Sequence, residues 1–130
     1  MSENNINILL VEDDSFISGM YYTKLNSIGY KVKVVEDGEL ASQALQQDPL
    51  PDLLLLDVVL PKKDGFEILA ELRKEERTKN LLVILLTNLG QKPDVERGIK
   101  LGADDYIIKA HFTPTEVVEK IAKLLKDKKK

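Results

Sequence analysis

Four consecutive leucines at 53–56 constrain the fold more than any other feature of the chain. Successive side chains on a strand point to opposite faces, so an unbroken apolar run leaves neither face for water. The run lies between prolines at 49 and 51 and an aspartate at 57, which is the length of a strand rather than a helix. Residues 6–11, apolar apart from Asn7, and residues 81–86 read the same way. Strands buried on both faces need helices above and below them, and sheets built so are parallel.

The intervening segments supply those helices. Residues 15–28 place Ile17, Met20, Tyr21, Leu25 and Ile28 at helical spacing, and Gly29 stops them. A short helix is expected at 39–47. A third is expected at 65–75, where Asp64 precedes Glu67 at cap spacing. A fourth at 91–101 ends at Gly102. Thr113-Pro114-Thr115-Glu116 opens the last, with a cap, a proline at the first helical position and a glutamate at the third. Residues 31–35 alternate Lys and Val, as an edge strand with one wetter face should, and residues 105–108 form the fifth strand.

These units predict an α/β fold, a doubly wound five-stranded parallel sheet with five helices. Right-handed crossovers and a wet second strand favour the order 2-1-3-4-5. The 130 residues fit a single domain, 1–130, with a core of about 5–127 and a basic tail at 126–130. That tail suits a solvated helix end, where cations face the negative pole of the dipole. No cysteine is present, so disulfides and thiolate metal sites are excluded. A net charge of -3 gives no field for direct nucleic-acid binding, and no apolar run is long enough for a membrane span. A cytoplasmic location is expected.

In such a sheet, ligands bind beyond the carboxyl ends of the strands. Glu12, Asp13 and Asp14 follow the first strand, Asp57 the third, Thr87 the fourth and Lys109 the fifth. The strand order brings them to one edge. Carboxylates gathered in a partly dry cleft cannot all stay ionised without counter-charge. Lys109 supplies one positive charge, and a hard dication such as Mg2+ would supply the rest. Asp13 and Asp57 are the expected direct ligands, with Glu12 held through water and the Val59 backbone carbonyl completing the protein's share. Asp14 reads better as a helix cap, together with Ser15. Beside such a cation, Asp57 suits a nucleophile forming an aspartyl phosphate. Lys109 and the Thr87 hydroxyl would neutralise and hydrogen-bond the transferred group.

The motifs "ILLVEDD" (8–14), "LLLLDVVLPKKDG" (53–65), "VILLTN" (83–88) and "LGADDYIIKA" (101–110) resemble the response-regulator receiver domain of two-component phosphorelays. The resemblance covers about residues 5–127 and implies the flavodoxin-like form of this fold. It also implies that Asp57 accepts a phosphoryl group from a histidine kinase or phosphotransfer protein, with Glu12 and Asp13 as the acidic metal pair. Thr87 would be the switch hydroxyl, Tyr106 the switch aromatic and Lys109 the phosphate-binding lysine. On this reading the chain is a single-domain, chemotaxis-regulator-like signalling switch. It is not an enzyme on an outside substrate, although it promotes its own phosphorylation and dephosphorylation. Its downstream protein would meet the face of the fourth helix, fifth strand and fifth helix, and a homodimer through the fourth-helix face stays open.

Three positions depart from the family pattern. Leu60 replaces a common methionine, a swap that conserves volume. Asn88 stands where a small residue is usual, and its size is expected to narrow access to Asp57. Ala110 stands where proline is usual, in a bond that the family typically holds cis. A cis bond to alanine costs about 3 kcal/mol more than trans, so either the bond is trans with Lys109 aimed differently, or it is cis. Apolar Val59 and Leu89, each two residues beyond a site residue, cannot orient an attacking water, which predicts slow self-dephosphorylation. Gly98 and Gly102 weaken the fourth helix and suit it to move. His111, the only histidine, reads as a solvated loop residue. The alternative function is a non-phosphorylated pseudo-receiver binding module. A dehalogenase-type phosphatase would want an acid at 59, and a flavodoxin-like carrier a hydroxyl-rich loop after the first strand.

Overall fold

The computed structural model describes residues 5–128. Residues 1–4 and Lys129-Lys130, the end of the basic tail, lie outside the described residues. The element order is β1 Asn7–Val11, α1 Ser15–Ser27, β2 Lys31–Val35, α2 Gly38–Leu45, β3 Leu53–Leu56, α3 Gly65–Lys74, β4 Leu82–Thr87, α4 Lys92–Lys100, β5 Asp105–Ile108 and α5 Pro114–Lys128. A 3-10 turn, Lys109–His111, joins β5 to α5. The strands form one parallel sheet in the order β2-β1-β3-β4-β5, as the sequence predicts.

The four leucines of β3 are wholly buried and divide by parity. Leu53 and Leu55 join Ile8, Leu10, Ile84 and Leu86 under α1 and α5, against Tyr21, Leu25, Val117 and Ile121. Leu54 and Leu56 join Leu9, Val11, Val83 and Leu85 on the other face, against Ala41, Leu45, Phe66 and Leu69 of α2 and α3. Burying one such side chain stabilises by about 2 kcal/mol, so β3 pins both layers to its own register. On β2, Lys31, Lys33 and Val34 are exposed. Lysines along an edge also discourage pairing with another chain.

Short polar side chains start α1, α2, α3 and α5, whereas α4 begins at Gln91 with no side-chain cap. Asp14 accepts the amides of Phe16 and Ile17 at 2.9 and 3.1 Å. Ser15 is therefore the first helical residue and takes no part in the cap. Asp37 accepts Leu40 N at 2.8 Å, and Asp64 accepts Glu67 N at 2.9 Å. Thr113 and Glu116 cap one another's amides at 3.1 and 2.8 Å. Several element ends differ by one or two residues from the sequence expectation, and two of these shifts bear on the packing and the site. The first helix ends at Ser27, which leaves Ile28 at the cap and 38% exposed. The fourth strand runs one residue further, so Thr87 is its last rung, opposite Ile108.

Candidate functional site

Register decides what meets at the carboxyl edge of the sheet. Val11 pairs with Leu56, and Asp57 N–H donates to the Val11 carbonyl at 3.1 Å. Glu12 N–H donates to the Val35 carbonyl at 3.1 Å. These rungs place Glu12 and Asp57 side by side at the ends of adjacent strands. The turn after β3 closes tightly: Gly65 N–H reaches the Val58 carbonyl at 2.9 Å. A Cβ on Gly65 would stand 2.3 Å from the Asp57 carbonyl oxygen, so only glycine lets α3 begin there.

One carboxylate oxygen each from Glu12, Asp13 and Asp57 falls within a span of 4.8 Å, with Glu12 and Asp57 buried and Asp13 exposed. Lys109 enters from the far side. Its Nζ lies 2.8 Å from Asp57 Oδ2 and also hydrogen-bonds Glu12 Oε1. All three side chains of that trio are nearly dry, at 9%, 8% and 3% exposure. Burial alone would lower the Lys109 ammonium, but the hydrogen bonds to Asp57 and Glu12 outweigh it and hold the pKa above its ordinary value. Burial pushes the Glu12 carboxyl up against the pull of Lys109 and the Asp14 amide. The pocket is thus short of positive charge: three carboxylates face one ammonium. An all-oxygen donor set with two surplus negative charges fits a hard divalent cation. The remaining Asp57 oxygen, Oδ1, accepts Val59 N–H at 3.2 Å.

Thr87 is wholly buried, and its Oγ1 accepts Leu89 N–H at 3.2 Å. The Tyr106 hydroxyl donates to the Leu89 carbonyl. The ring is half-buried and packs inward against the layer of α3 and α4. Leu89, expected only to flank the site, thus links Thr87 to Tyr106 through its backbone, a role that side-chain chemistry gives no sign of. The Lys109–Ala110 bond is trans, since the cis bond among the described residues is Asp48–Pro49. The trans alternative posed by the sequence therefore holds for the bond, and Lys109 still reaches Asp57 and Glu12. Asn88 does not stand free over Asp57 with its full polar end: its Oδ1 accepts Ala110 N–H at 3.0 Å. His111 is exposed, as expected. Among the described residues, no helix is long and apolar enough to cross a membrane.

The acidic trio and Lys109 stand at the carboxyl edge of a doubly wound sheet, near its switch point, where sheets of this class bind ligands. The family model of the response regulator receiver domain matches residues 8–122, and the chain belongs to that family, which serves signal transduction in two-component systems. It is 41% identical over 119 residues to the DNA-binding dual master transcriptional regulator RpaA of Synechocystis, covering 92% of this chain and 48% of that protein. The chain thus spans about half the length of the curated relatives it matches. Among solved structures, the receiver domain of the Francisella response regulator 1452 superposes with a TM-score of 0.85 at 31% identity, covering 95% of this chain and 99% of that one. The Mn(2+)-bound form of response regulator Rcp1 superposes with a TM-score of 0.81 at 33% identity, covering 89% and 91%.

Proposed function

We propose that this chain is a phosphorylation-dependent switch in which Asp57 accepts one phosphoryl group from a histidine kinase or phosphotransfer protein. The observation that carries the reading is the meeting of Asp57 with Glu12, Asp13 and Lys109, drawn from three strand ends. The ionised Asp57 carboxylate is already a nucleophile and needs no general base. Lys109 keeps its proton and stabilises charge on the incoming group. Glu12, Asp13 and Asp57, with the Val59 carbonyl, are the residues that would hold Mg2+, which when bound supplies positive charge for the phosphoryl oxygens. The Mn(2+)-bound form of the similar response regulator Rcp1 supports a divalent site here.

A phosphoryl oxygen at Asp57 would accept the Thr87 O–H, and drawing Thr87 toward it would stretch the contact in which Thr87 Oγ1 accepts Leu89 N–H. Loosening that contact alters the Leu89 carbonyl that holds Tyr106, and with it the face formed by α4, β5 and α5, where a downstream protein would dock. The reading includes a single domain and a cytoplasmic location, no direct nucleic-acid contact and no enzymatic action on an outside substrate. Incubation with Mg2+ and acetyl phosphate, followed by intact-mass measurement, tests it. One added phosphoryl group is expected for the wild type and none for Asp57→Asn; no addition to the wild type would favour the pseudo-receiver.

A further inference from the structure

Asn88 and Ala110, the two residues after Thr87 and Lys109 that sequence analysis set apart, are hydrogen-bond partners. The β4–β5 ladder ends at the pair Thr87–Ile108. Beyond it, Asn88 Oδ1 accepts the Ala110 amide proton at 3.0 Å. Lys109 lies between these two connections, so its backbone is tied to the end of β4 on both sides. The bond needs an N–H at position 110, which proline would lack. It also needs a side chain with a carbonyl at position 88, which a small apolar residue would lack. The 3-10 turn at Lys109–His111 is otherwise capped by Phe112 N–H, which reaches the Lys109 carbonyl at a long 3.4 Å, and it has no side-chain cap at its start.

We infer that Asn88 is a positioning residue for Lys109: its carboxamide adds one rung past the sheet and fixes the backbone that aims the ammonium at Asp57 and Glu12. This rests on the reading of Asp57 as the phosphoryl acceptor. It replaces the expectation that Asn88 acts as a steric gate, and the two roles have opposite signs.

The test combines uptake from acetyl phosphate, read by intact mass, with the NMR signal of the Lys109 13Cε. Asn88 is exposed, so Asn88→Ala is expected to fold. Misplacing a reacting group by an ångström costs up to about a hundredfold, and loss of this one tie should slow uptake on the order of tenfold. The Mg2+ concentration at half-maximal rate should stay unchanged, because Asn88 is not a metal ligand. In a Lys109→Ala background, Asn88→Ala should slow uptake no further. The Lys109 signal should shift toward that of a solvated lysine in Asn88→Ala while the other lysines hold. Faster uptake, additive slowing with Lys109→Ala, or an unmoved Lys109 signal would each overturn the inference. If the wild type took up no phosphoryl group, the switch reading would fail, and the NMR signal alone would still decide the role of Asn88.

Discussion

The phenol of Tyr106 hydrogen-bonds the Leu89 carbonyl, and its ionisation is pushed up to about 12 by burial first, then by the charges of Asp94 and Asp57. The fold therefore favours the neutral phenol. For a group whose folded pKa is raised, the contribution to stability is intact below the ordinary value of 10.0 and is lost as pH rises through about 12. Urea unfolding across that window should show stability falling more steeply in the wild type than in Tyr106→Phe; equal slopes would mean that the phenol is not held. At Val59, 62% exposed and apolar, the chemistry concerns water. Its amide serves Asp57 but its side chain offers no hydrogen bond to an attacking water. Val59→Asn is expected to shorten the phosphoryl lifetime by several-fold, read from the decay of the phosphorylated mass after donor removal.

Helix α4 shows how an element carries a function that its own residues do not announce. Its sequence, with Gly98 inside and Gly102 at its end, reads as a weak helix. Gly102 is a left-handed stop at φ +108, where Arg73 donates to its carbonyl from Nη2 at 2.8 Å. Gly98 has a different reason to be there: a Cβ on it would stand 2.7 Å from Leu85 Cδ1 and from Tyr106 Cδ2. The missing methyl is what lets the Tyr106 ring lie inward beneath α4. Helix propensity favours Ala over Gly by about 1 kcal/mol, whereas overfilling a packed contact costs about 1–3 kcal/mol. Contact should win, so Gly98→Ala is expected to lower stability and to turn the Tyr106 ring outward, visible as loss of its raised ionisation. A more stable variant with Tyr106 unmoved would refute this. The contrast explains what a sequence discloses. Strands, caps and the acidic trio are legible because local pattern and parallel register determine them. The Gly98–Tyr106 contact and the Asn88–Ala110 bond are not, because each depends on how two segments distant in sequence settle against each other.

At the scale of the whole molecule, the sheet edge is a charged seam across a structure whose two apolar layers share the same strands. Glu12, Asp13 and Asp57 are spaced closely enough to repel, and Lys109 offsets only one of their charges. Folding must therefore gather like charges from Glu12 and Asp13 to Asp57, up to 45 positions apart in the unfolded chain. Two consequences have opposite signs. A divalent cation that binds only the folded pocket should stabilise the entire domain by about 2.7 kcal/mol at a hundredfold excess over its Kd. Removing one carboxylate should stabilise the fold when no such cation is supplied, because repulsion is relieved. Asp13 is the residue to change, since it is exposed and, unlike Glu12 and Asp57, makes no ion pair with Lys109. In chelator, Asp13→Asn is expected to unfold at higher urea than the wild type; in excess Mg2+ the order should reverse, with the unfolding slope unchanged. If Asp13→Asn were the less stable protein in chelator and gained as much from Mg2+ as the wild type, the three carboxylates would not form one cation site.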